Sequence, residues 1–277
     1  GDKFSRDASQ LVMYVVSPAM MVVAFQREKN AADLHNFLVC LLLAVAVHAV
    51  SILLAKVGLR GRDSTAGILQ FGTVFSNCGF MGYPLMLALL GSIGVFYGSA
   101  YVVVFTVLSW TAGIYMVTHD AHNLQIKHIL LNPGVISAVA AMVLYLLSVR
   151  LPEIVLTPLN YLANMNTPLP TIVVGYQLSH ADFSDAFRDH RSWIALALRL
   201  AVVPLLTIGL CRGFRVDGTL ALVTVIAAST PPAALLSMFA QKFGGDTKLA
   251  SSVVSVFTAL SVLTIPPVVG LAQYLMG

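Results

Sequence analysis

Apolar runs long enough to cross a lipid bilayer recur from one end of this chain to the other, separated by short polar connectors. A crossing helix needs about 20 mostly apolar residues. Nine segments meet that requirement, at roughly 8–26, 34–56, 66–91, 95–118, 133–150, 154–178, 192–211, 217–241 and 249–275. The longest connectors are THDAHNLQIKH (118–128) and SHADFSDAFRDHR (179–191), so no soluble domain is inserted. Charged residues make up 10% of the 277, where soluble domains carry about 25%. The mean hydropathy is +0.85. Together these features predict an all-α integral membrane protein whose main partner is the lipid bilayer.

Several function classes are excluded. The net charge is +4 and the basic residues sit in short loops, a distribution that predicts no nucleic-acid partner. Cys40, Cys78 and Cys211 lie in apolar segments and read as small hydrophobes, with no metal or disulfide spacing. HExxH, GxSxG and P-loop motifs are missing, which argues against an enzyme and predicts neither cofactor nor metal. GSIG at 91–94 reads as a tight turn between spans.

Orientation follows from the distribution of Lys and Arg. One side collects ten, including Lys56, Arg60, Arg62, Arg188, Arg191 and Lys248; the other collects five, Arg27, Lys29, Arg150, Arg212 and Arg215. The richer side is expected in the cytoplasm, with Gly277 outside. The expected location is a plasma membrane of the bacterial inner-membrane type.

The two halves resemble each other. SPAMMVVAF (17–25) matches TPLPTIVVGY (167–176), VFTVLS (104–109) matches VFTALS (256–261), and FSNCGFMG (75–82) falls at the same spacing as ASTPPAAL (228–235). The predicted organisation is a first repeat over 1–118, a cytoplasmic connector over 119–131 and a second repeat over 132–277. The second repeat has five spans and the first has four, so a first helix is expected to be missing from nine spans of ten. Repeats of five spans must cross the membrane in opposite senses, the inverted-repeat arrangement of secondary transporters.

Breaks are expected at repeat-related positions. Gly79, Gly82 and Pro84 in one span, and Ser229-Thr230-Pro231-Pro232 in the other, disfavour continuous helix. Irregular backbone at bilayer depth persists where protein or a water-filled cavity covers it. Two half-helix N-termini meeting at the midplane favour an anion such as a carboxylate. The predicted substrate-binding residues are Asn77, Cys78, Gly79, Ser229, Thr230, Pro232 and Ala233, and the helix-break residues are Gly82, Pro84, Pro231 and Pro232. The central parts of the spans hold no Asp or Glu. Arg199 is the formal charge well inside a span, with His48 at a comparable place in the other repeat; both are candidates for a coupling or charge role.

SNCGFMGYPLMLALLG, VVVFTVLSWTAGIYM, LLNPGVISAV and NYLANMNTPLPTIVVGYQL resemble the auxin efflux carrier family, its bacterial members in particular. The resemblance runs from about Phe4 to Pro267. It implies a fold similar to the bile acid–sodium symporters, with a scaffold, a mobile transport domain and crossing broken helices carried by Asn77–Pro84 and Ser229–Pro232. It further implies elevator-type exchange of access and small organic anions as substrates, auxin-like or malonate-like. Scaffold helices of such folds often dimerise, so a homodimer is an expectation that the resemblance carries. A sodium-coupled organic anion symporter and a non-translocating sensor built on the transporter fold are the alternatives.

Overall fold

Backbone N–H and C=O groups in lipid must be satisfied within the chain, and this chain satisfies them with helices. The computed structural model describes residues 2–120, 127, 130–179 and 183–276. In chain order its helices are α1 (Lys3–Ala24), α2 (Ala31–Gly58), α3 (Ser64–Val74), α4 (Cys78–Thr118), α5 (Pro133–Leu146), α6 (Glu153–Asn164), α7 (Pro168–Ser179), α8 (Phe183–Ala186), α9 (Arg191–Gly213), α10 (Gly218–Ser229), α11 (Leu235–Phe243) and α12 (Thr247–Met276). Asn30, Asp63 and Asn132 cap α2, α3 and α5, each side chain accepting a main-chain N–H of the first turn.

Five of these helices are individually long and apolar enough to cross a membrane: α1, α2, α4, α9 and α12. Spans expected to be single come in pieces. Segment 66–91 divides into α3 and the start of α4, 154–178 into α6 and α7, and 217–241 into α10 and α11. The turn expected over 91–94 reduces to one residue, Gly91, at φ 69° and ψ −160°. There α4 folds back on itself. A Cβ on Gly98 would fall 2.3 Å from the Met86 sulfur and 3.7 Å from the Tyr83 ring, although a straight helix would hold residues 83 and 98 about 22 Å apart. The connector expected over 119–131, and residues 180–182 of the second connector, lie mostly outside the described residues.

Three helices widen into a π turn at the same distance from a proline. Val12–Val16 precedes Pro18, Cys78–Gly82 precedes Pro84, and Leu198–Val202 precedes Pro204. A proline has no N–H for the carbonyl four residues back and its ring presses on that carbonyl. Here that carbonyl belongs to Tyr14, Phe80 or Leu200, the middle residue of each π turn.

The helices pack as two groups. α1 lies against α5, α6 and α7, while α2, α3, α4 and α9–α12 pack on one another. Ser17 donates to Asn166 Oδ1 (2.8 Å) within the first group, at the discontinuity between α6 and α7. The groups meet where Phe25, just after α1, packs on Phe96 of α4, ring centroids 4.5 Å apart, and where α7 touches α12 and the first turn of α4. Large apolar side chains such as Leu42, Leu53 and Leu263 are exposed, as the lipid-facing sides of spans require.

A candidate functional site at two helix breaks

The breaks between α3 and α4 and between α10 and α11 meet. The Asn77 N–H donates to the Pro231 carbonyl (2.7 Å), and the Ala233 N–H donates to the Phe75 carbonyl (2.9 Å). These two bonds form an antiparallel bridge between Ser76 and Pro232. Nearly everything there is buried: Ser76 and Thr230 are fully inaccessible and Asn77 is 7% exposed. Thr230 is extended (φ −67°, ψ 150°), the conformation that the following proline imposes. Pro231 and Pro232 lie in the interruption itself.

The other two residues expected to break the helix do not. Gly82 ends the π turn Cys78–Gly82 and Pro84 lies in the α-helix after it. The chain unwinds earlier, at Phe75–Asn77. Pro84 disturbs the Phe80 carbonyl, which a wider turn accommodates, whereas the backbone of 75–77 is drawn into the bridge. The Asn77 carbonyl then restarts the helix, accepting from Met81 and Gly82 (3.0 and 3.1 Å).

Arg199 explains how two helix C-termini can end inside the protein. It is fully buried in the π turn of α9. Its guanidinium donates to the carbonyls of Thr73 (3.0 Å) and Val74 (3.3 Å) at the end of α3, and to the Ala228 carbonyl at the end of α10. Each C-terminus carries about −0.5 of an elementary charge, so one guanidinium offsets two of them. The sequence marks Arg199 as a buried charge; its partners are main-chain carbonyls from two other helices, which no motif announces.

With the C-termini covered, the positive helix ends at the crossing are the first turns of α4 and α11, neither of which has a side-chain cap. At Gly79 a Cβ would meet nothing within 4 Å, so the α4 turn has open space beside it. Gly79, Ala234 and Leu235 are partly exposed. Among the expected binding residues, Asn77 is the N-cap of this turn and makes no capping bond with its side chain, and Cys78 and Gly79 are the first residues of the turn. Ser229 and Thr230 are placed at the crossing, but their hydroxyl protons go to the Val225 (2.6 Å) and Ala227 (3.0 Å) carbonyls of their own helix. In this arrangement they present lone pairs, which do not attract an anion. Ala233 spends its N–H on the bridge, and Pro232 has none to give.

His48 of α2 reaches the same crossing. It is fully buried, its ring centroid 5.0 Å from Tyr101 and 5.9 Å from Phe75, with Nδ1 2.8 Å from the Ala44 carbonyl. Among the described residues, His48 Nε2, Thr73 Oγ1 and Arg199 Nε are buried without a hydrogen-bond partner. The break between α6 and α7 went unread in the sequence. A signal was present, because the repeat aligns Ser17-Pro18, just after one π turn, with Thr167-Pro168.

A polar cavity of about 530 Å³ lies at the N-terminal ends of α3, α9 and α12, lined by Thr65, Asp185, Arg188, Asp189, His190, Asp246 and Lys248. Beside it, Arg191 bridges Asp63 (2.8 Å) and Asp189 (2.7 Å). Its hydrogen bonds hold the Asp63 carboxyl down to about 2 and pull that of Asp189 below its ordinary value.

Among the described residues the chain is helical, with several membrane-length helices and a buried polar crossing, the architecture of a multi-pass membrane protein; its family match makes it a transporter rather than an enzyme. The chain matches the family described as membrane transport protein over residues 4–129 and 117–269, and belongs to it; this is the auxin efflux carrier family that its motifs resemble. It is 24% identical over 277 residues to an uncharacterised transporter of Methanocaldococcus jannaschii, covering 95% of this chain and 88% of that one. An uncharacterised transporter of Methanothermobacter thermautotrophicus is 26% identical over 280 residues, covering 96% and 88%.

Proposed function

We propose that the protein is a secondary transporter of small organic carboxylates, auxin-like or malonate-like, which bind at the crossing of two broken helices related by an inverted repeat. One observation carries this reading: a main-chain bridge joins the two breaks while Arg199 covers both helix C-termini. The electrostatic remainder is two N-terminal turns, a setting that favours negative charge. The carboxylate is held by the Asn77 amide and by the N–H groups of Cys78 and Gly79. Access alternates by an elevator movement of the group containing α2, α3, α4 and α9–α12 against α1, α5, α6 and α7. The protein works in the plasma membrane with its C-terminus outside. Membrane potential then drives export in proportion to the net negative charge carried, at about 2.3 kcal/mol per charge per 100 mV.

Counterflow of labelled malonate and labelled indole-3-acetate in proteoliposomes tests this. Wild-type protein is expected to exchange at least one of them. Asn77→Ala removes a hydrogen bond to a charged group, worth about 1.5–3 kcal/mol, and is expected to weaken exchange about 10-fold or more. Binding without flux in wild type would make the protein a sensor, and absence of both would remove carboxylates as its substrates.

A further inference from the structure

His48 is the group at the crossing that carboxylate binding alone does not use. A carbonyl can only accept a hydrogen bond, so His48 Nδ1, facing the Ala44 carbonyl, carries the proton. Nε2 is then a basic lone pair, buried and without a partner among the described residues. It belongs to a ring beside Phe75, two residues before Asn77. The surrounding titratable and charged groups are few. α4 contributes Cys78, Tyr83 and Tyr101, and α9 contributes Arg199, whose charge acts on His48. α3 and α10, which also pack on α2, contain no titratable side chain.

These charges set a condition on His48. Arg199 is already matched by two helix ends, and a second positive charge beside it lacks a counterion in the empty protein. A carboxylate on the first turn of α4 supplies one. We infer that binding of a carboxylate at the crossing is coupled to uptake of a proton by His48 Nε2, so that anion and proton are carried together. The inference rests on the proposed carboxylate site. The proton comes from a hydronium ion, whose O–H bond breaks to leave water as the Nε2–H bond forms.

Linked sites typically tighten each other's ligands by about 5–150-fold, and one pair of opposite charges about 10 Å apart at an effective dielectric constant of about 20 corresponds to about 15-fold. The sign is fixed by linkage. Binding takes up a proton, so affinity for the anion rises as pH falls through the range where His48 titrates, and levels off on either side.

Calorimetric titration of the purified full chain with malonate, in buffers of different ionisation heat between about pH 8 and about pH 4, tests the inference. Wild type is expected to bind about 15-fold more tightly at the acid end and to take up roughly half a proton per malonate at the steepest point. His48→Asn keeps a donor for the Ala44 carbonyl and has no basic nitrogen; it is expected to show only malonate's own titration, common to both proteins. His48→Gln is the second variant should the first not fold. A wild-type proton number fully accounted for by malonate overturns the inference without any variant, as do equal pH profiles for wild type and variant. Either result leaves the carboxylate site standing. Absence of malonate binding to both proteins overturns the site and the coupling together.

Discussion

A buried arginine is costly in a membrane span, about 2.5–3.5 kcal/mol on insertion scales. Arg199 occupies such a position because three main-chain carbonyls from two other helices need a cation. The converse cost falls on any residue that cannot provide one. Arg199→Leu leaves both helix ends uncovered and is expected to destabilise the protein by about 3–5 kcal/mol, the range for breaking a buried charged network. Arg199→Lys keeps the charge but loses the planar fork that reaches two helices at once, and is expected to fall between the two. The yield of monodisperse protein after stepwise heating measures the order, wild type above Lys above Leu. At this scale the sequence was informative about which residues are unusual. Asn77, Thr230, His48 and Arg199 all converge on the crossing. The roles were less legible: the Ser229 and Thr230 hydroxyls are consumed by their own helix, because a hydroxyl proton takes the nearest carbonyl one turn back.

The helices show which glycines serve packing and which leave space. Gly67 of α3 lies so close to the last turn of α4 that a Cβ would come within 2.2 Å of the Met116 carbonyl oxygen. Main chain cannot step aside as a side chain can, so Gly67→Ala is expected to lower stability by about 1–3 kcal/mol, read as a drop in melting temperature. Gly79→Ala is the contrasting case, since its Cβ enters open space. It is expected to leave melting unchanged while weakening carboxylate binding, because the methyl group occupies the room beside the α4 N-terminal turn. A lowered melting temperature for Gly79→Ala with normal binding would relocate the site. Prolines were legible as perturbers, but their consequence was not. Pro18, Pro84 and Pro204 each widen a turn upstream, and Pro158, Pro266 and Pro267 lie inside helices. The true interruption at Phe75–Asn77 contains no proline or glycine.

At the scale of the whole molecule, the proposed elevator requires the two packed groups to slide. Phe25 and Phe96 belong to different groups and touch, whereas Ser17 and Asn166 belong to the same one. A disulfide formed by Phe25→Cys with Phe96→Cys is expected to stop counterflow until it is reduced, and one formed by Ser17→Cys with Asn166→Cys is expected to leave it running. Inhibition by both, or by neither, would favour a different access mechanism. What the sequence by itself determined is the chemistry of the solvent this chain inhabits. Its apolar runs and scarce charges require helices in lipid, its quoted motifs carry the family, and its unusual residues mark the depth at which something other than lipid is met. Tertiary structure alone decided where the helices end and what covers those ends. An interruption in apolar surroundings survives only if its orphan main-chain groups find partners, and these partners are distant in sequence: Pro231 for Asn77, Phe75 for Ala233, and Arg199 for both α3 and α10. Local propensity cannot report a bond to a residue many turns away, so the location of the Phe75–Asn77 break follows from the fold and not from the glycines and proline near it, whereas the break at Thr230 falls where Pro231 and Pro232 already disfavour helix.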